Sequence, residues 1–343
     1  MLGRAGRMGH RPTVDNAGHV TESLPVASRG NTTMTSTVRA AIAAVLVGVL
    51  VGVSGCGTPV AGTDGNLLDD WQPMAAPKFD VPSVGMCLDS ASKASFDPAF
   101  VPAAPIECER AHTLEVALVG TVDGSAGQAS APPAAGSEGF QAAYTACSAA
   151  VNGYVGGDWH NGMLGINVQM PLPAPWQGGL RSYVCSVFAL SNVYSRMSFN
   201  SGSLKGALAG DAPKAIRCLD VRGTKKSDGW WDDLSDLTPI GCTEPHEAEF
   251  VGTIQISGGG STLPAADVLR KWTIDRCYPV VAKFMGLTQA QFDAREDIGL
   301  VWDGISKFQW DAGDRYVRCF ALFDPGKKAR ASIKGLGTKP LPV

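Results

Sequence analysis

The spacing of hydrophobic positions changes several times along the chain, and each change marks an element. Residues 40–53 form an apolar run after Arg39, whereas residues 57–84 show no sustained period and carry Pro59, Pro73, Pro77 and Pro82. Around Cys147, the residues Ala143, Tyr144, Ala150, Val151 and Tyr154 recur at offsets that make one face of a helix. Around Cys277 the same offsets hold Thr273, Ile274, Val280, Val281 and Phe284, with Pro279 a candidate kink. Residues 183–190 and 316–323 are rich in aromatic and β-branched side chains and read as strands. Two alternating segments precede the helices. Cys108, His112, Leu114, Val116 and Leu118 are assigned to one face of the first, with Glu115 opposite. Cys242, His246, Ala248, Phe250 and Ile254 share a face of the second, with Glu249 opposite.

These elements occur twice. Eight cysteines fall into two sets, Cys87, Cys108, Cys147, Cys185 and Cys218, Cys242, Cys277, Cys319, whose members are 131, 134, 130 and 134 residues apart. A near-constant offset is the mark of an internal repeat. Cys-x3-His-x2-Glu opens each alternating segment, and both segments reach a Gly-Thr pair, Gly120-Thr121 and Gly252-Thr253. Trp176, Gly179, Arg181 and Cys185 correspond to Trp310, Gly313, Arg315 and Cys319. The fold class that follows is α+β: two tandem homologous repeats, each a small, mostly antiparallel sheet with one packed helix and two disulfides. Because helix and last strand should face each other, the expected pairs are Cys147–Cys185 and Cys277–Cys319, which leaves Cys87–Cys108 and Cys218–Cys242. Four cysteines allow three connectivities, so the alternatives stay open at this stage. Each bridge is worth about 2–4 kcal/mol, chiefly through the unfolded chain.

Composition adds a compartment. The apolar run of about 14 residues is shorter than the roughly 20 of a spanning helix and ends in Val53-Ser54-Gly55-Cys56, a lipobox. Cys56 is therefore the expected site of lipid attachment and the ninth, unpaired cysteine. Met34 is the favoured start, with residues 1–33 an over-extended start or disordered leader, 34–55 a signal peptide and 56–84 a lipidated Pro-rich stalk. The repeats then occupy 85–192 and 215–324, joined by a linker at 193–214 and followed by a basic disordered tail at 325–343. The net charge is −3, but residues 1–55 hold five basic and two acidic side chains, so a chain starting at Cys56 is near −6. With no basic stripe, nucleic acid is excluded as a partner.

Candidate chemistry rests on His112, Glu115, His246 and Glu249. On opposite faces of one strand a His and a Glu do not chelate, so no metal and no cofactor are expected. The favoured role is a buried imidazole, bonded to backbone or to the repeated Arg beside a disulfide. No nucleophile motif accompanies either His. Gly258-Gly259-Gly260-Ser261 lacks the Lys of a phosphate loop and reads as a flexible connection. Residues 228–236, with Trp230, Trp231 and four Asp, read as a solvated acidic loop with one Trp in the core.

The starts Gly85-Met86-Cys87-Leu88 and Arg217-Cys218-Leu219, the Cys-x3-His-x2-Glu motif, a helical Cys and a strand Cys together resemble the septum-formation domain of actinobacterial envelope proteins. The resemblance covers residues 84–190 and 215–324, one copy each. It implies an extracytoplasmic domain linked to cell division or envelope maintenance, with no catalytic residues to carry over. The expected function is a non-enzymatic binding or scaffold role. The protein is expected on the outer face of the cell membrane, tethered by the Cys56 lipid, with envelope or divisome proteins or wall polymer as partners. The alternatives are an envelope hydrolase using His112 or His246, discriminated by a solvent-open imidazole, and a ligand-binding lipoprotein with a cleft between the repeats.

Overall fold

A computed structural model describes residues 13–15, 78–89, 104–194, 197–225, 227, 231–258, 260–324 and 326–343. Cys56, the apolar run and most of the stalk lie outside these residues. Among the described residues no helix is long and apolar enough to cross a membrane.

Within residues 1–33, for which an over-extended start or a disordered leader is expected, the described residues form one element, the strand β1 (Thr13–Asp15). The first repeat contains β2 (Cys87–Asp89), β3 (Ala104–Ile106), β4 (Leu114–Thr121), the short helix α1 (Gly124–Gln128) and the long helix α2 (Glu138–Val155). It continues with a 3-10 turn at Trp159–Asn161, β5 (Leu164–Gln169), α3 (Pro173–Gln177), β6 (Ser182–Leu190) and β7 (Met197–Ser198). The second repeat contains β8 (Cys218–Lys225), β9 (Trp231–Ile240), β10 (Ala248–Gln255) and the long helix α4 (Ala266–Met285). After it come α5 (Gln289–Asp293), β11 (Ile298–Trp302), α6 (Lys307–Ala312) and β12 (Tyr316–Phe323). The sheets have one topology: β3-β2-β4-β6-β5 in the first and β9-β8-β10-β12-β11 in the second, where β1 adds a parallel edge strand. The fold is thus α+β with two sheets, each bearing its own long helix.

Local chemistry explains the long helices. Ser137 caps α2 by accepting the Phe140 N–H at 3.3 Å, and Gly156, at φ 79°, ends it. Helix α4 runs through Pro279 and ends at Gly286, φ 74°. The helical Cys147 and Cys277 lie on the buried faces, and each is bonded to the strand cysteine opposite, Cys185 and Cys319, with Cα separations of 5.4 and 5.7 Å. The other bridges, Cys87–Cys108 and Cys218–Cys242, have separations of 5.2 and 5.1 Å. A bulge recurs at one place in both copies: the ladder skips between Val116 and Leu118, and between Phe250 and Gly252. Leu118 therefore corresponds to Gly252, and the two Gly-Thr pairs are not equivalent positions. The acidic run is not a loop: residues from Trp231 onward form β9, with Leu234 and Leu237 fully buried.

Each long helix packs on one face of its sheet. The opposite faces of the two sheets meet in a shared core, to which Leu114, Val116 and Phe188 contribute from the first repeat and Leu219, Phe320 and Leu322 from the second. Strands β6 and β12 are covered on both faces, which is why they read as continuous rather than alternating apolar runs. The sheet faces that a ligand cleft between the repeats would need are packed against each other.

Polar groups cross this junction. The Arg318 guanidinium, 7% exposed, donates to the carbonyls of His160 (2.7 Å), Leu164 (3.0 Å) and Gly162 (3.2 Å). Asp303 lies 3.4 Å from it and accepts the Arg318 N–H at 2.6 Å. His160 lies between Asp158 (2.6 Å) and Asp314 (3.3 Å), and Asp314 also accepts the Tyr144 hydroxyl at 2.9 Å. Burial lowers the His160 pKa, but the hydrogen bonds to Asp158 and Asp314 more than offset it and hold the ring above its ordinary value. Burial pushes the Asp303 carboxyl up to about 6 despite Arg318. The bond to His160 holds Asp158 below its usual range.

The signs agree for the two raised groups. The Asp303 contribution is complete below its unfolded value near 3.8 and lost as pH rises through about 6. The His160 contribution is complete below 6.5 and lost as pH rises through its raised value. The Asp158 contribution is lost only when pH falls through its lowered value. Urea unfolding should therefore show stability falling as pH rises from about 4 through about 6, by on the order of 3 kcal/mol for Asp303, and falling further as pH passes through the raised His160 value. Asp303→Asn should flatten the lower half of that decline and His160→Gln the upper half; unchanged profiles would remove both groups from the account.

Candidate functional site

The repeated Cys-x3-His-x2-Glu motif folds identically in both copies. The cysteine lies within a tight turn, closed by Arg110 N–H to Glu107 O (3.0 Å) in one copy and by Glu244 N–H to Gly241 O (2.9 Å) in the other. The next peptide pairs both ways with a distant segment: His112 with Asn200, and His246 with Ala329. Each imidazole donates its Nδ1 proton to the carbonyl two residues earlier, Arg110 O at 2.9 Å and Glu244 O at 2.8 Å. That fixes the tautomer, because a carbonyl can only accept. The rings are 1% and 0% exposed, and each Nε2 has no hydrogen-bond partner among the described residues.

The glutamates are buried as well. Glu115 pairs with Cys87 in the β2–β4 ladder and accepts from Ser203 Oγ, from the Leu204 N–H at 2.5 Å and from the Tyr154 hydroxyl at 2.5 Å. Glu249 pairs with Cys218 and accepts from Ser332 Oγ and from the Ile333 N–H at 2.7 Å. Burial raises the Glu249 pKa, and the donors from Ser332 and Ile333 oppose the rise. Hydrogen bonding to Glu115 and burial together push the Tyr154 hydroxyl up to about 12, burial being the larger cause.

The opposite-face expectation for His and Glu is overturned. Strands β4 and β10 begin only at Leu114 and Ala248, so alternation does not extend back to the histidines, which a turn and an isolated bridge orient instead. Cys87, His112 and Glu115 each bring one donor atom to within 4.8 Å of the others, as do Cys218, His246 and Glu249. Both sulfurs are in disulfides.

The partners of the carboxylates reveal a piece of the repeat that the cysteines did not mark. Ser203-Leu204-Lys205-Gly206 and Ser332-Ile333-Lys334-Gly335 lie 129 residues apart, close to the cysteine offset. Gly206 and Gly335 both take positive φ, 74° and 66°, and bond at 2.9 Å to the last turns of their helices, at Tyr154 O and Phe284 O. The segment read as a linker is thus the closing strap of the first repeat. The segment read as a disordered tail is the same strap in the second. Its Ala329 and Ile333 are fully buried, and Arg295, paired with Asp297 at 2.7 Å, donates to Gly337 O and Lys339 O.

The repeated Arg binds elsewhere than the histidines. Arg181 lies 4.0 Å over the Trp176 ring and donates to Gly127 O, while Arg315 lies 3.9 Å over Trp310 and donates to Gly258 O (3.0 Å) and Gly260 O (2.7 Å). Each guanidinium pins the connection between a central strand and a long helix, so Gly258 and Gly260 are held rather than free.

Two outcomes test these roles. Glu249→Gln places a donor against donors and should cost about 1–3 kcal/mol, with tryptic cleavage after Lys327, Lys328, Arg330 or Lys334 becoming the first event in limited proteolysis. Arg315→Lys keeps the charge but loses the stacked, forked geometry, so amide exchange at residues 256–260 should accelerate while global stability falls by about 1 kcal/mol.

No curated protein and no solved structure matches the chain. A family model described as septum formation matches residues 84–319. The resemblance gave each repeat its own copy of the domain, whereas this single match extends across both. Covering more than half of the sequence, it places the chain in the septum-formation family.

Proposed function

We propose that this protein is a membrane-tethered envelope lipoprotein that acts in septum formation by binding rather than by catalysis. The family supports a role in cell division or the envelope and is not a known enzyme family. One observation carries the non-enzymatic reading. The repeated His, Glu and Arg side chains are engaged inside their own repeats: the histidines through Nδ1 on backbone carbonyls, the glutamates on the straps, the arginines on helix connections. A hydrolase built on His112 or His246 would need an imidazole open to substrate and within reach of a nucleophile; both rings are buried. In this reading binding is through the outer surface.

The tether is argued from Val53-Ser54-Gly55-Cys56 after the apolar run, and the partners in this reading are envelope or divisome proteins or wall polymer on the outer face of the membrane. The test joins the two halves. Cys56→Ala should abolish lipid labelling and move the protein from the membrane to the soluble fraction. Depletion of the wild type should alter septum placement and cell length, with only the lipidated form restoring them. Normal septa after depletion would reject the role in division, and membrane retention of Cys56→Ala would reject the anchor.

A further inference from the structure

We propose that each His–Glu–disulfide cluster is a two-state site: a disulfide in the oxidised chain, and a thiolate-containing site for a zinc-class divalent ion when that disulfide is reduced. The geometry carries this. A ring nitrogen, a carboxylate oxygen and a cysteine sulfur lie within 4.8 Å of one another in both repeats. The imidazole carries the hydrogen-bond pattern of metal-bound imidazoles, with Nδ1–H on a backbone carbonyl and Nε2 left as a buried lone pair without a partner among the described residues. The carboxylate is likewise oriented from behind by a hydroxyl and a backbone N–H. An imidazole, a carboxylate and one or two thiolates suit zinc and do not suit calcium or magnesium, which take oxygen ligands.

Opening the site is ordinary thiol–disulfide exchange with an external dithiol as reductant. Cys108 and Cys242 are only part-buried, whereas Cys87 and Cys218 are enclosed. A thiolate of the dithiol attacks Cys108 Sγ, the S–S electron pair leaves on Cys87, and the dithiol's second sulfur displaces Cys108 and closes its own disulfide. Two electrons and two protons pass from the dithiol to the two cysteines. Metal binding then displaces the thiol protons, with Cys87 always a ligand and Cys108 free to supply the fourth position.

The test holds the site open without a reductant. The Cys108→Ser, Cys242→Ser double variant of the full chain keeps the Cys147–Cys185 and Cys277–Cys319 bridges and frees Cys87 and Cys218. Titrated with cobalt(II) under anaerobic conditions, it should develop thiolate-to-cobalt charge transfer with a stoichiometry of about two per chain, displaced by zinc. Adding His112→Ala should leave a stoichiometry of about one and weaken the altered site more than about tenfold. A variant with native near-UV circular dichroism but no charge-transfer band overturns the proposal, as does a stoichiometry of two after His112→Ala. If the double variant is unfolded without metal, zinc should restore its near-UV signal, because ligation then supplies folding energy. Failure of excess zinc to do so also counts against the site.

Discussion

A buried carboxylate beneath a disulfide is the constraint on which each repeat depends. Glu115 and Glu249 sit on central strands covered on both faces, where an ionised group survives only if its oxygens are occupied. The donors come from the strap that follows the last strand, through a serine hydroxyl and the next backbone N–H. The carboxylate therefore decides where the strap lies. The strap in turn bonds to the last turn of the long helix, whose terminal carbonyls would otherwise lack partners. Sheet, strap and helix are joined in one circuit, and the adjacent disulfide fixes the turn that enters it.

Much of this was legible in the sequence because covalent and periodic signals are local. The cysteine offsets exposed the duplication, the faces around Cys147 and Cys277 located the helices, and β-branched runs located β6 and β12. The straps were not legible for a physical reason. Ala329, Ile333 and Leu341 are sparse apolar residues among Lys and Arg, and their order comes from long-range backbone pairing that leaves no period. Only the repeat of Ser-Leu-Lys-Gly as Ser-Ile-Lys-Gly could have disclosed it. The His–Glu convergence was missed because strand alternation was extended two residues past the end of the strand. The Asp228 to Asp236 run misled through composition, since Leu234 and Leu237 lie among the carboxylates of β9 and enter the shared core.

The duplication also bears on how so disulfide-dense a chain reaches a sizeable core. Each repeat buries one sheet face under its helix, and its second apolar face finds cover only on the other repeat. A single repeat would leave that second face open to water, an exposed patch that isolated domains avoid. The family match across both copies fits this dependence.

The junction between the copies is not symmetric. Arg318 of the second repeat closes on three carbonyls of the first, whereas the corresponding position in the first repeat, at the same 134-residue offset, is Val184. The two halves have thus become a lock and a key cut from one blank. Their order along the chain carries information: exchanging them, or pairing two of the same kind, would leave either an unmatched guanidinium or unmatched carbonyls at the seam.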